Sequence, residues 1–253
     1  QNVVIPVTLN VPALGPAFER GGVAHAANYV RGFVSPGLAA VIFGKRFGPA
    51  TLAGTQYNAD GSVATTTGNT RVLCDGVAAP TIYAVDGQVA FFVPFAVAGK
   101  ATTDIVVEYN GVKSPAVTVP VVASNPSLFA ADATGSGQVA AYNQDLSLNG
   151  PDNPAARGDT ITFFGTGAGQ MNPAGHDGAI AAAPLPSLQQ PMTVTIDGLN
   201  ADVSAQGPAV GLVEGLFRLD VKVPDNAQPG NNVQILVTQN GVTSQLGNTI
   251  AVK

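Results

Sequence analysis

VTQNGVTS, residues 237–244, and VEYNGVKS, residues 107–114, are nearly one phrase written twice. Each sets an Asn-Gly pair between β-prone runs. Asn-Gly is the strongest short hairpin signal, because both residues of a tight hairpin turn need positive φ. Upstream of each copy the correspondence continues. VAFFVP (89–94) answers LDVKVP (219–224), and TRVLCDG (70–76) answers TVTIDG (193–198), with Asp75-Gly76 falling on Asp197-Gly198. PGLAAVIFGKRFG (36–48) answers RGDTITFFGTGAG (157–169), with Gly37, Gly44 and Gly48 on Gly158, Gly165 and Gly169. Shared spacing, turn chemistry and strand pattern describe one module present twice. The sequence therefore divides into an N-terminal strand and linker (1–22), a first module (23–122) and a second (123–253).

Within a module the strands are short and their faces differ. FRLDVKV turns Phe217, Leu219, Val221 and Val223 one way and Arg218, Asp220 and Lys222 the other. One buried and one wet face is the signature of an antiparallel sandwich sheet. Thirty Gly and nineteen Pro, without a regular period, punctuate the chain too often for long helices. The expected fold is all-β: two tandem immunoglobulin-like antiparallel β-sandwiches preceded by an extra N-terminal strand.

The pattern resembles a known family in three places: TIYAVDGQVAFFVP (81–94), GQVAAYNQDLSLNGPDNPAARG (137–158) and VTIDG (194–198). It is similar to the uncharacterised Solibacter-type C-terminal domain family of secreted acidobacterial proteins, whose domains have IPT/TIG-like immunoglobulin folds. The resemblance covers residues 24–253 and implies a fold and an extracellular location, not a chemistry. Leu146 stands where the family pattern has Gly.

Composition narrows the classes of function. Charged residues make up only 11% and the net charge is −5, so no basic footprint for nucleic acid exists. No run of apolar residues is long enough for a membrane span. The chain starts at Gln1 rather than Met, which reads as a mature or an excised form, with a secreted protein's leader expected to be removed. A single cysteine, Cys74, sits on a core strand position and reads as a small buried hydrophobe. His25 and His176 have no partner in the sequence, and His176, in a Gly/Ala-rich loop, reads as a surface imidazole. YNQDLSLNGPDN (142–153) alternates oxygen-bearing side chains but lacks the glycine and closing glutamate of a calcium loop, so it reads as a hairpin turn. No catalytic constellation, metal site or cofactor motif emerges, and the expectation is a non-enzyme.

Two features point to association. VAFFVPF (89–95) places Ala90, Phe92 and Phe95 where the second module has Asp220, Lys222 and Asp225. An apolar patch there needs a partner, a loop or the other module over it. VVIPVTLNV (3–11) puts Val3, Ile5, Val7, Leu9 and Val11 on one aliphatic face, and an isolated strand is unstable until it joins a sheet. PVTLNV also suits the last strand of a preceding sandwich. The favoured expectation is donation of this strand to a neighbouring copy, giving a self-assembling filament or surface layer. The alternative is a binding module for cell-surface proteins or glycans, against which the absence of Trp and the scattered five Tyr count.

Overall fold

The computed structural model describes residues 14–253, and the expected donor strand with Val3, Ile5, Val7, Leu9 and Val11 lies outside them. The fold is all-β, with several antiparallel sheets. The helical pieces among the described residues are two three-residue turns, Arg20–Gly22 and Phe95–Val97.

The first sandwich contains β1 (Val23–His25), β2 (Ala39–Phe43), β3 (Thr70–Cys74), β4 (Val77–Ala79), β5 (Thr81–Val85), β6 (Gln88–Phe92), β7 (Thr102–Tyr109), β8 (Val112–Lys113) and β9 (Val117–Pro120). One sheet runs β1-β2-β6-β5 and the other β4-β3-β7-β8, with β9 also on β7. The second sandwich contains β10 (Ser127–Leu128), β11 (Gly137–Gln138), β12 (Ala141–Tyr142), β13 (Thr160–Thr166), β14 (Met171–Asn172), β15 (Ser187–Leu188) and β16 (Met192–Ile196). It continues with β17 (Leu199–Ala201), β18 (Val203–Pro208), β19 (Leu216–Lys222), β20 (Gly230–Gln239), β21 (Val242–Thr243) and β22 (Asn248–Val252). Its sheets run β10-β13-β19-β18, with β12 also on β13, and β11-β22-β20-β16-β17, with β21 also on β20; β14 and β15 form a separate ribbon.

The shared strands correspond, β1-β2-β6-β5 with β12-β13-β19-β18 and β4-β3-β7-β8 with β17-β16-β20-β21, down to a bulge at the same place: between Thr81 and Tyr83 in one and between Val203 and Ala205 in the other. The hairpin turns explain the repeated Asn-Gly. Asn110-Gly111 and Asn240-Gly241 have positive φ at both residues, as do Asp75-Gly76 and Asp197-Gly198. Ala17 pairs with Lys45 as Ser127 pairs with Thr166, so the first sandwich takes in Ala17 and Phe18, upstream of Val23.

Each sandwich has its own core. The first is built on Leu38, Ile42, Phe47, Phe91 and Ile105, the second on Ile161, Phe163, Ile196, Phe217 and Ile235. Each such side chain contributes roughly 1.5–3 kcal/mol on burial. Cys74 lies in the first core as Ile196 does in the second. Burial, with the charges of Asp75 and Asp177 nearby, pushes its thiol up to about 12.

Candidate functional site

The loops between strands bring the two sandwiches into direct contact. His25, at the end of β1, is fully buried. Its Nδ1 accepts the Ala27 N–H at 3.0 Å, which leaves Nε2 to donate to the Asn125 carbonyl of the second sandwich at 3.1 Å. These two bonds fix a neutral, Nε2-protonated imidazole, and burial holds its pKa down at about 4. The Thr166 hydroxyl accepts the Ala39 N–H and donates to the Gly215 carbonyl, both at 2.9 Å. Asn28 Nδ2 donates to Ser127 Oγ at 2.7 Å, and Asp177 Oδ1 accepts the Phe95 N–H at 2.8 Å.

Glycines allow this close approach. A Cβ on Gly215 would lie 2.1 Å from the Gly37 carbonyl oxygen, and one on Gly175 would lie 2.5 Å from the Phe95 ring. Phe95 is therefore a buried part of the joint, 4% exposed, and not part of an open patch. Its counterpart Asp225 lies at the outer end of the second sandwich, where its carboxylate accepts a bond from Lys222.

Beside the joint lies a cleft of about 480 Å³. Its floor is the outer face of the β1-β2-β6-β5 sheet, with Val41, Ala90, Ile82 and Phe92; Phe129 and Leu216 face it from the second sandwich. Tyr29, Tyr57 and Tyr83 also line it, so residues scattered in sequence are brought together by the fold. Among the described residues none that lines the cleft is charged. Ala90 and Phe92 do point away from the core of their own sandwich, but they are only 2% and 5% exposed, under the Thr55–Val63 loop and the second sandwich.

The second sandwich serves as an internal control. Where the first has Val41, Ala90, Ile82 and Phe92, strand register places Thr162, Asp220, Ser204 and Lys222. There Thr162 Oγ1 donates to Asp220 Oδ1 at 2.7 Å and Arg218 Nε donates to the same oxygen at 2.8 Å. One face of one sheet thus carries opposite chemistry in the two copies.

A second difference concerns a sheet edge. In the second sandwich β22 lies between β20 and the parallel strand β11, and Val139 N–H donates to the Thr249 carbonyl at 2.9 Å. In the first, among the described residues, the only strand that pairs with β9 is β7, apart from a single bridge between Val34 and Val121. Thr118 occupies the place of Thr249 and is exposed. It stands opposite Asp104, whose N–H and C=O are both bonded to Asp75, so the Thr118 peptide groups point away from β7.

His176 is exposed, with its N–H on Glu214 Oε2 at 2.6 Å. Residues 143–153 form a closed turn. Asn143 N–H donates to the Ser147 carbonyl at 2.8 Å, Ser147 N–H to Asp145 Oδ1 at 3.0 Å, and Asn149 Nδ2 to Asn143 Oδ1 at 2.9 Å. Of the residues at the joint, His25 had the weakest sequence signal, since only the fold supplies its partner.

Among the described residues the geometry defines an all-β protein of two like-built sandwiches, with an apolar cleft beside their joint and an exposed β9 edge at Thr118. No protein-family model matches the chain, and no curated protein is significantly similar to it.

Proposed function

We propose that this is a non-enzymatic extracellular structural subunit that associates with copies of itself by strand donation. In this reading the sandwiches are IPT/TIG-like immunoglobulin folds, and the aliphatic N-terminal strand of one subunit adds to the β9 edge of the next. The observation that carries the reading is the edge at Thr118, whose counterpart in the second sandwich is covered by that sandwich's own β11. An edge strand with unpaired peptide groups is a template for another chain, with backbone bonds giving affinity and alternate side chains giving register. Val3, Ile5, Val7, Leu9 and Val11 supply those side chains, and segment 1–13 carries no charged residue to oppose their burial. A contact between unlike surfaces does not close on itself and propagates as a fibre.

Negative-stain electron microscopy of three proteins tests this: the full chain, a chain lacking residues 1–12, and Thr118→Pro. Proline at 118 removes an N–H that β7 does not use, so the monomer keeps its fold while the edge is blocked. Filaments from the full chain and monomers from both variants are expected. Monomers from the full chain, or filaments that survive loss of residues 1–12, would refute the reading.

A further inference from the structure

The cleft between the sandwiches has no part in strand donation, and its chemistry calls for an occupant. A sheet face that merely packs against a neighbouring domain is filled by that neighbour. Here the apolar face is enclosed by the joint, yet about 480 Å³ beside it is left unfilled by side chains. Small-molecule sites of proteins span roughly 300–1,000 Å³ and are mostly apolar with a few polar groups. Four positions that are polar or charged in the second sandwich, Thr162, Ser204, Asp220 and Lys222, are Val41, Ile82, Ala90 and Phe92 in the first, and only the first faces the cleft.

We infer that the cleft binds an uncharged, ring-bearing apolar small molecule. Three arguments select that class. With no charged side chain lining the cleft among the described residues, a charged ligand would lose its hydration without an opposite charge to replace it. Five of the lining side chains are aromatic: Tyr29, Tyr57, Tyr83, Phe92 and Phe129. Aromatic faces and edges favour flat rings over flexible chains. The site is also preformed. Tyr29 is pinned through its hydroxyl to the Ala133 carbonyl of the second sandwich at 3.0 Å, and Thr55 through its hydroxyl to the Ile82 carbonyl at 2.7 Å. A wall held in place before binding loses little ordering entropy when the ligand enters. This gives the molecule a ligand of a different class from the glycans or proteins that a binding module would take, and it stands whether or not subunits self-associate.

Nile red, a neutral polycyclic dye, is the probe, titrated into the full chain and followed by its blue-shifted fluorescence. One saturable site per chain is expected. Ala90→Asp installs on the cleft floor the residue that the second sandwich carries there, and is expected to weaken binding at least tenfold. Tyr57→Ala, at an exposed rim position where folding is not at stake, is expected to weaken it severalfold. Absence of a saturable site overturns the inference, as does a site whose affinity is the same in both variants. Binding that appears only after residues 1–12 are deleted also overturns it, by giving the cleft to the chain's own N-terminal segment.

Discussion

His25 shows how one side chain can tie stability to pH. Its imidazole is neutral in the folded protein because Nδ1 already accepts a backbone N–H, and protonating that nitrogen would turn an acceptor towards a donor. The folded pKa of about 4 lies below the ordinary 6.5. The unfolded chain therefore takes up a proton between these values while the folded protein does not. Stability is complete above pH 6.5 and falls as the pH is lowered towards 4. At about 1.4 kcal/mol per pH unit, the loss is roughly 3 kcal/mol. Asp177 is shifted upward by burial and so acts in the opposite sense, nearer the carboxylate range. His25→Asn places there the residue that the second sandwich has at the matching position, Asn143, and cannot titrate. Urea midpoints measured from pH 7 to pH 4 should fall for the native chain and stay nearly flat between pH 6.5 and 5 for the variant. The variant should be less stable at pH 7, since the bond to Asn125 is lost. Equal slopes for the two proteins would show that His25 is not the group responsible.

At the scale of the element, the 143–153 turn joins sequence and strain. Leu146 takes φ +66 and is exposed, so its side chain contributes little burial while its backbone sits in the left-handed region. That conformation costs a residue with a Cβ about 1–2 kcal/mol. Leu146→Gly relieves it, less the extra chain entropy that glycine brings to the unfolded state. A net gain of about 0.5–1 kcal/mol is expected, read as a higher urea midpoint with unchanged slope. The unusual residue was visible in the sequence, as were the hairpins, the alternating strands and the repeat, because each is local: a dipeptide, a period of two, a fixed spacing. Pairings across the fold were not. Phe47 fills the space over Gly44 in the first core, and Phe217 fills the space over Gly165 in the second. The repeat sets Phe47 against Ala168 and Gly87 against Phe217, so the two copies supply one ring from different segments, the loop after β2 in the first and β19 in the second. Neither segment alone reveals that exchange. For the same reason Ala90 and Phe92 were legible as outward-facing apolar residues, but not as the floor of a cleft whose opposite wall comes from the second sandwich.

At the scale of the whole molecule, among the described residues, the groups that match those of the joint are bonded within their own sandwich at the two outer ends. Asn143, the counterpart of His25, turns its amide to its own loop, donating to the Asn153 carbonyl at 2.9 Å. Gly15, the counterpart of Asn125, offers its carbonyl not to an imidazole but to Arg46 Nε of its own sandwich, at 2.7 Å. Each outer end thus satisfies internally the group that the joint satisfies across the boundary. This places a large share of the coupling between the two sandwiches on a few buried bonds. Thr166 is fully buried and carries one of them, from the Ala39 N–H, while its own hydroxyl hydrogen is anchored on the Gly215 carbonyl of the second sandwich. Thr166→Val keeps the shape and leaves the Ala39 N–H and the Gly215 carbonyl without the hydroxyl, at a cost of about 1–3 kcal/mol for each unsatisfied group. If the joint couples the sandwiches, calorimetry of the native chain gives a single transition whose van't Hoff and calorimetric enthalpies agree. Thr166→Val should lower its midpoint and separate it into two transitions, one for each core. Two transitions in the native chain would mean that each sandwich is stable by itself, and that the bonds at His25 and Thr166 orient the pair without coupling its unfolding.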